Sequence, residues 1–267
     1  MGEKILKLNL YQPFAHYREP KIIQDDYIPT LNIPSPTTIA GMIAYLCDYK
    51  FKEEFDIGVY CKYKTKDIHF IRGEKGDFFE SYLKQNRKKK LSYQDFKFKL
   101  GNRIMKYEVL QEVSLIIFLK FNNQDEYNMV KEALENPRRY ITLGRKEDFV
   151  VKHKNYKKIV EDVTDKIKSI EITDKKTAVK NKYKIKNTYI PINIMNDKYD
   201  DILSNGVLYS LPRKYRNICA DKTEREMVHY HYVYIDEKGY YPKNGKYYLY
   251  EDIDEKIIFK WLVKVGV

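Results

Sequence analysis

Two small groups of residues have the side chains that metal-independent RNA cleavage requires. That reaction needs a general base for the ribose 2′-OH and a Lys or Arg that stabilises the charge of the phosphorane. One group is the consecutive run His16, Tyr17 and Arg18, and the other is Tyr45 with Lys120. Their spacing favours neither group, because residues of these types are common in the chain. RNA cleavage therefore stays an open alternative at this point.

The charge balance indicates a phosphate-rich partner. The 267 residues include 50 Lys+Arg against 38 Asp+Glu, a formal net charge of +12. Lysine-rich composition bias is the alternative explanation. Only ten of the 50 basic residues are Arg, and the planar guanidinium binds phosphates and base edges in a way that lysine does not. We therefore expect the positions of the arginines to mark a nucleic-acid site better than the positions of the lysines.

Several other classes of protein and site are excluded by features that the sequence lacks. It has no apolar run long enough for a transmembrane helix and no apolar region typical of a signal peptide. Cys47, Cys61 and Cys219 are scattered and form no CxxC pair. His229 and His231 share one face of a predicted strand, but no Asp or Glu joins them at ligand spacing. We expect a cytoplasmic protein with no membrane contact, no metal site and no cofactor.

The first 150 residues alternate between strand and helix patterns. Ser35 followed by Pro36 is typical of a helix start, because Ser caps the helix and Pro fits its first turn. Without the basic segment 72–106, the predicted order is βαββαβ, as in ferredoxin-like units and RNA-binding RRM domains. The predicted elements are a strand at 4–11, an irregular proline-containing stretch at 12–34, a helix from Ser35–Pro36, strands at 56–63, 66–71 and 107–121, a helix at 124–135, and a short strand at 138–145.

The segment 72–106 differs from its surroundings in charge. It holds eleven Lys/Arg against four Asp/Glu, with aromatic residues interleaved. An extended arm that contacts RNA or a neighbouring subunit has this composition, and so does a solvated helix with a few core anchors. The basic residues that we assign to this arm are Arg87, Lys88, Lys89, Lys90 and Arg103.

The second half of the chain is predicted to be rich in strands. Segment 152–186 holds twelve Lys and five Asp/Glu, which favours a mobile basic connection. In residues 229–234 histidine and tyrosine alternate, so the tyrosines share one face of a strand. The candidate strands are 147–152, 167–172, 187–194, 206–211, 228–235, 246–250 and 256–265.

Three motifs follow one another along the chain. They are LYQPFAHYR at 10–18 with IPSPTTIAG at 33–41, YITLGR at 140–145, and VLYSLPR at 207–213 with Tyr215. Together and in this order they resemble the Cas five family, whose members are RAMP-superfamily subunits of type I CRISPR effector complexes (Cascade). That family opens with a strand, an "fAxFR"-like loop and a Pro-Ser helix start with an internal Gly, followed later by a "P-x-L-G-R" turn and an "LP-x-x-Y" element.

This resemblance implies an α+β fold and a binding role. The expected fold is a ferredoxin-like RAMP domain over 1–150, with a basic thumb inserted at about 72–106 and a β-rich C-terminal region over 151–267. The expected function is a non-catalytic crRNA-binding subunit that caps the 5′ handle of crRNA. Its implied partners are the crRNA, the backbone subunit and the large subunit of the complex, with target DNA contacted indirectly.

One subtype of the family cuts pre-crRNA with a Tyr on the first helix and a Lys-His pair after the long strand. Tyr45 fits the helix position and Lys120 fits the lysine. Phe121 stands where the histidine is expected. The resemblance therefore favours a binding subunit, with a metal-independent endoribonuclease as the alternative. A protein-interaction scaffold whose basic arm only docks a partner is a third hypothesis.

The expected RNA-binding residues come from the arginine clusters and the matched motifs. Arg145 and the turn at Gly144 are expected to hold phosphates or base edges. The start of the first helix offers free N–H groups to a phosphate, and tyrosines stack splayed bases. The full expected set is Tyr11, His16, Tyr17, Arg18, Ser35, Thr37, Thr38, Lys120, Arg138, Arg139, Gly144, Arg145, Arg213 and Arg216. Ion pairing is the alternative for Arg213 and Arg216, and core packing is the alternative for each tyrosine.

Overall fold

The computed structural model is a mixed α+β protein in which strands predominate and form several sheets. It describes residues 3–19, 27–51, 54–74, 102–152, 158–193, 200–217, 225–252, 255–262 and 264–265. The strands are β1 (Lys4–Ala15), β2 (Tyr27–Ile28), β3 (Asp56–Lys62), β4 (Thr65–Glu74), β5 (Asn102–Phe121), β6 (Val151–Lys152), β7 (Val160–Asp162), β8 (Ile167–Ile172), β9 (Thr188–Ile192), β10 (Val207–Asn217), β11 (Arg225–Ile235), β12 (Gly245–Glu251) and β13 (Lys256–Phe259). The helices are α1 (Pro36–Leu46), α2 (Gln124–Glu135), α3 (Lys175–Lys180) and α4 (Asp200–Leu203), with a 3₁₀ turn at Thr164–Lys166.

The first sheet is built around β5. Its apolar, β-branched and aromatic residues suit a strand that is covered on both faces. β1 pairs with β5 antiparallel, from Lys4 opposite Phe121 to Ala15 opposite Leu110. β3 and β4 pair with the other edge of β5, and β6 and β7 pair with the outer edge of β1. The order across the sheet is therefore β3 and β4, β5, β1, then β6 and β7.

The two faces of this sheet are covered by different elements. Side chains alternate between the faces of a strand. In β5, Leu115, Ile117 and Leu119 share a core with α1 and α2. Ile116 and Phe118 lie on the opposite face, in a core with residues of β12 and β13. We call the first face the α1 face and the second the β12 face.

The first helix begins where the sequence predicts. The Ser35 side chain caps α1, with Oγ accepting from the Thr38 N–H at 3.3 Å, and Pro36 occupies the first turn. The second predicted helix is also confirmed, with matching bounds of Gln124 and Glu135. Its cap is Asn123, and the acidic first turn stabilises the positive end of the helix dipole.

The C-terminal part adds two three-stranded sheets. One has the order β10–β11–β9 and the other β13–β12–β8. Phe259 of β13 stacks on Phe118 of β5 with ring centroids 4.6 Å apart. A Cβ on Gly58 of β3 would overlap the Phe259 ring. The second sheet is therefore packed closely onto the β12 face.

The prediction of a strand at 138–145 is wrong. These residues form a turn in which only Thr142 makes a β-bridge, to Phe149. Gly144 has φ +105°, which breaks an extended run. The side-chain amide of Gln12 donates to the carbonyl oxygens of Leu143 and Asp148, at 2.8 and 2.9 Å. A side chain thus satisfies this backbone, and β6 and β7 take the place beside β1.

Three other predicted bounds differ from the structure. β1 continues beyond residue 11 because it stays paired with β5 as far as Ala15 opposite Leu110. Pro13 is tolerated there because β6 pairs only with Leu10 and Tyr11. The predicted strand at 256–265 ends at Phe259, and Val265 makes a separate bridge. Within 147–152 only Val151–Lys152 is a strand. The other predicted strands lie in or overlap observed strands.

The prediction that 152–186 is a mobile connection is wrong for the residues that the structure describes. They hold β7, the 3₁₀ turn, β8 and α3. The apolar residues Val160, Ile172 and Ala178 are buried, and this burial fixes the segment against the rest of the fold despite its many lysines.

The predicted thumb lies mostly outside the described residues. The described ends of the segment 72–106 belong to the paired strands β4 and β5, since β4 reaches Glu74 and β5 starts at Asn102. Arg87, Lys88, Lys89 and Lys90 fall in the part of the chain that the structure does not describe, as does the side chain of Arg103. In the described part, no helix has the length and apolarity needed to cross a bilayer.

Candidate nucleic-acid interface

A groove of about 810 Å³ runs between the outer side of α1 and the turn at 139–149. The α1 residues in the groove recur at helical spacing, so one stripe of the helix faces it. We call this feature the aromatic groove. Its lining residues are Thr37, Thr38, Gly41, Met42, Tyr45, Tyr49, Arg139, Tyr140, Thr142, Leu143, Gly144, Lys146 and Phe149.

Four aromatic rings in this groove are exposed to solvent. Tyr140 is 83% exposed, and Tyr49, Phe149 and Tyr45 are 63%, 50% and 38% exposed. Tyr140 and Phe149 meet edge to face at 6.1 Å, and Tyr45 and Tyr49 do so at 6.4 Å. Two aromatic pairs therefore line opposite sides of one groove, an arrangement that suits the stacking of flat ligands.

Basic side chains border the aromatic groove. The Arg139 guanidinium lies 4.6 Å from the centre of the Tyr45 ring and pairs with Asp48 at 2.7 Å. It also donates to the Tyr45 carbonyl oxygen at 3.2 Å. Arg138 and Lys146 are exposed and form no ion pair with any described residue. The groove lining therefore holds one cation without an ion pair among the described residues, Lys146, and one that is already anchored, Arg139. Arg138 precedes Arg139 in the chain but does not line the groove.

The turn at Gly144 packs tightly against the loop that follows β1. At its φ of +105°, a Cβ would lie 2.7 Å from the His16 carbonyl oxygen and 2.9 Å from a carboxylate oxygen of Asp148. Only glycine fits both the backbone angle and the space. This contact places the turn beside His16.

A buried carboxylate ties the turn together. Asp148 Oδ2 accepts from the backbone N–H of His16 at 3.0 Å and from that of Arg145 at 2.8 Å. Asp148 Oδ1 accepts from the Arg145 guanidinium at 2.8 Å. We expected Arg145 to hold phosphates, but its guanidinium is already paired with the buried carboxylate of Asp148.

Gln12 links the same turn to Tyr17. Its amide donates to the turn, and its Oε1 accepts from the Tyr17 hydroxyl at 2.6 Å. Tyr17 is buried in the core, and burial raises the pKa of its hydroxyl well above its usual value. Tyr17 is therefore a packing residue, and neither its ring nor its hydroxyl is placed for stacking or acid–base chemistry.

A second, smaller cavity of about 310 Å³ adjoins the groove, and the two share Thr38 and Gly144. We call it the His16 pocket. Its lining residues are His16, Tyr17, Arg18, Ile28, Thr38, Tyr107, Gly144 and Arg145. The pocket and the groove together form a continuous surface on one side of the molecule.

His16 is the buried polar side chain of this pocket. It is 2% exposed, and its Nδ1 lies 2.7 Å from the Glu108 carbonyl oxygen. Its Nε2 has no hydrogen-bond partner among the described residues. The imidazole meets the Tyr107 ring edge to face at 5.3 Å. Burial lowers the pKa of His16 below its usual 6.5, so the ring is neutral at pH 7.

Comparison with known protein families identifies the chain. A family model described as "CRISPR-associated protein (Cas_Cas5)" matches residues 5–204. The chain belongs to this Cas5 family. No curated protein sequence matches it significantly.

Several solved structures resemble this Cas5 chain, all at low sequence identity. A chain of the "CRISPR RNA-guided surveillance complex" is 13% identical, with 100% of this chain and 92% of that chain covered and a TM-score of 0.43. A chain of the "Type III-B Cmr-beta bound to cognate target RNA and AMPPnP" is 14% identical, with 87% and 84% covered and a TM-score of 0.37. A "CRISPR protein from Archaeoglobus fulgidus" is 11% identical, with 97% and 99% covered and a TM-score of 0.34.

The start of α1 offers less to an anion than the sequence predicts. The Ser35 hydroxyl and carbonyl already accept from the Thr38 N–H, and Pro36 has no N–H. The N–H of Thr37 is the one left in this first turn. Thr38 is nevertheless placed at the junction of the groove and the pocket.

Several predicted residues lie away from this surface. Tyr11 is on the β12 face of the sheet, because it alternates with Leu10 along β1. Arg213 donates to the Lys264 carbonyl oxygen at 2.8 Å, so it supports the backbone near the C-terminus. The side chain of Arg216 lies outside the described residues.

The candidate cleavage pair Tyr45 and Lys120 is split by the sheet. Lys120 alternates with Leu119 and therefore lies on the β12 face. It pairs there with Asp56 at 2.9 Å and lies 5.3 Å from the Trp261 ring. Tyr45 belongs to α1 on the other face. The two side chains cannot act on one phosphate in this fold.

Nine residues that line the aromatic groove are absent from the sequence-based RNA-binding set, although Tyr45 is a candidate for cleavage. They are Gly41, Met42, Tyr45, Tyr49, Tyr140, Thr142, Leu143, Lys146 and Phe149. The sequence carries a signal for some of them. Thr38, Gly41 and Tyr45 recur every three or four residues on the side of α1 opposite its apolar stripe, and Tyr49 follows just beyond the end of the helix. Tyr140 and Phe149 flank the Gly144 turn without such a pattern. Among the described residues, no cluster of three His, Cys, Asp or Glu is arranged to hold a metal.

Proposed function

We propose that this Cas5 protein is a non-catalytic crRNA-binding subunit of a type I CRISPR effector complex, and that it caps the 5′ handle of crRNA. The observation that carries the proposal is the aromatic groove, with four exposed rings and bordering cations on a surface continuous with the His16 pocket. Exposed aromatics beside unpaired cations are the features with which proteins bind single-stranded RNA.

The groove supplies both parts of such binding. Bases stack on Tyr140, Phe149, Tyr45 and Tyr49, at about 1–3 kcal/mol for each base. Arg138 and Lys146 contact the phosphates that join these bases, with Arg139 held beside them by Asp48. Single-stranded RNA fits better than a duplex, because the bases of a duplex are already stacked on one another and cannot stack on the protein's aromatic rings.

The proposed partners follow from the family resemblance. The first sheet serves as the ferredoxin-like RAMP domain, supported by its strand order and by the helices α1 and α2 between the strands. The basic thumb at about 72–106 contacts the backbone subunit or RNA, and other surfaces contact the large subunit. Target DNA is reached only through the bound crRNA, and the assembled complex works in the cytoplasm.

The absence of catalysis is supported by the separation of Tyr45 from Lys120, by Phe121 in the expected histidine position, and by the buried hydroxyl of Tyr17. Cleavage stays the alternative activity, since His16 is neutral and its Nε2 has no partner among the described residues. Incubation of the protein with repeat RNA, with and without EDTA, separates the two. We expect intact RNA in both samples.

The test of the proposed function is purification of the full chain followed by sequencing of the RNA that remains bound. We expect repeat-derived 5′ ends and an affinity that falls steeply with salt, because phosphate contacts release counterions. Absence of bound RNA, or salt-insensitive binding of a protein partner alone, would contradict the proposal and favour an interaction scaffold.

A further inference from the structure

The tautomer of His16 is set by the fold. Nδ1 lies 2.7 Å from the Glu108 carbonyl oxygen, which only accepts hydrogen bonds. Nδ1 must therefore carry the ring proton. In a neutral imidazole the other nitrogen is then an acceptor. The Nε2 of His16 is thus a buried lone pair that needs a donor and has none among the described residues.

The buried part of the His16 pocket carries little net charge. The Arg145 guanidinium is paired with the buried carboxylate of Asp148 through both Nε and NH2. His16 is neutral, and Arg18 is exposed. Ile28 and the Tyr107 ring give the pocket apolar walls. A phosphate is a poor fit, because it carries only acceptor oxygens and would oppose the Nε2 lone pair.

A nucleobase fits both the apolar walls of the pocket and the Nε2 lone pair. It is flat and largely apolar on its faces, and its edges carry amino or imino N–H donors. A volume of about 310 Å³ lies at the lower end of the range for small-ligand sites, which suits a single base more than a longer segment. Thr38, which lines the pocket and whose hydroxyl lies 2.8 Å from that of Ser35, supplies a second polar group.

We propose that the His16 pocket receives one splayed base of the bound RNA and reads it through His16 Nε2, which accepts a hydrogen bond from an exocyclic amino group on the edge of that base. His16 is thereby a specificity-determining residue, while the aromatic groove supplies sequence-tolerant stacking. This inference rests on the proposed RNA-binding function and adds a base-reading site to it.

The test uses paired variants and synthetic repeat RNA from the protein's own CRISPR array. His16→Asn keeps a side-chain nitrogen able to donate to the Glu108 carbonyl oxygen but removes the acceptor at the Nε2 position. His16→Gln places an amide oxygen near the Nε2 position. The RNA panel replaces each base in turn by an analogue without its amino group: inosine for guanosine, nebularine for adenosine and zebularine for cytidine.

We expect one position at which loss of the amino group weakens wild-type binding about fivefold, the effect of one hydrogen bond. At that position His16→Asn binds both RNAs equally, whereas His16→Gln keeps the discrimination. A panel in which no position discriminates, or in which His16→Asn discriminates as the wild type does, would overturn the base-reading inference alone. Failure of the wild type to bind any RNA would overturn the proposed function as well. If the wild type cleaves RNA and His16→Asn abolishes the cleavage, the proposed non-catalytic function is wrong and His16 is a general base.

Discussion

The two faces of the first sheet carry the same kinds of side chain and use them in opposite ways. On the β12 face, Lys7 is 3% exposed and lies between Glu255, at 3.0 Å, and the Tyr250 hydroxyl, at 3.1 Å. On the α1 side, Tyr140 is 83% exposed and Arg138 has no ion pair with any described residue. Lysines, arginines and rings serve stability on one face and remain available to a ligand on the other.

The difference comes from what covers each face. Strands β12 and β13 lie over the β12 face, and their aromatic residues stack on those of β5. On the other face α1 covers the sheet with its apolar side, while its outer stripe stays open beside the 139–149 turn. Residue type alone therefore does not identify a binding site in this protein. The layer that covers each face decides which side chains a ligand can reach.

The largest effect is expected for a variant that disrupts the packing on the β12 face. Phe259→Ala removes the ring stacked on Phe118 and leaves a cavity, which we expect to cost about 3–5 kcal/mol in the free energy of unfolding. Tyr140→Ala should leave that free energy nearly unchanged. Urea unfolding measures both variants. A large loss of stability in Tyr140→Ala, or none in Phe259→Ala, would contradict the distinction between the faces.

The next largest effect is expected for the 139–149 turn, which forms one side of the aromatic groove. Asp148→Ala leaves the Arg145 guanidinium and two backbone N–H groups without their acceptor. We expect a loss of about 2–3 kcal/mol, less than for a fully buried pair because the guanidinium is partly exposed. Glu147→Ala is the matched control, since Glu147 is exposed and 3.4 Å from the same arginine. Equal losses in the two variants would rule out this role of the buried carboxylate.

A smaller effect depends on pH. Burial keeps the pKa of folded His16 below 6.5, so the unfolded chain binds the proton more readily. The stability associated with neutral His16 is present above pH 6.5 and is lost as pH falls through the lower pKa of the folded state. One proton limits this slope to about 1.4 kcal/mol per pH unit. The charges of Arg145, Asp148 and Arg18 also act on the pKa of the His16 ring.

Unfolding of wild type and His16→Asn between pH 5 and pH 7.5 isolates this contribution. We expect the stability of the wild type to fall more steeply than that of His16→Asn below pH 6.5. Parallel curves would show that His16 does not resist protonation in the folded protein.

The smallest effect tests the outer stripe of α1. A Cβ on Gly41 meets nothing within 4 Å and points into the groove. Gly41→Ala should raise the free energy of unfolding by about 0.5–1 kcal/mol through helix propensity. Gly41→Leu should fill part of the groove and weaken RNA binding without loss of stability. Destabilisation by Gly41→Ala would mean that this stripe is packed instead of open.

Local patterns explain which parts of the fold the sequence predicts. The cap at Ser35, the periodicity of α1 and the apolar run of β5 are contained in short segments, and each is found in the structure. The turn at 138–149 depends on the side chain of Gln12, which lies far away in sequence. The closing of the β12 face depends on contacts such as Lys7 to Tyr250, 243 residues apart. No local pattern carries such information.

The candidate site shows the same division. The sequence locates Gly144 and Thr38 through recognisable motifs and Arg139 through a cluster of arginines. It also selects Lys120, because the alternation that places this lysine on the β12 face is hidden in a run that is apolar on both faces. Tyr140 and Phe149 are missed because exposure of an aromatic ring is a property of the tertiary structure.

The affinity of Tyr140→Ala/Phe149→Ala for repeat RNA tests the central claim most directly. The dissociation constants of this variant, of the wild type and of Val179→Ala are measured at one salt concentration; Val179 is an exposed apolar residue on α3, away from the groove. Two lost stacking contacts predict affinity weaker by about 30-fold or more, with unchanged stability and unchanged binding by Val179→Ala. RNA affinity equal to that of the wild type would contradict the assignment of the aromatic groove as the RNA-binding site.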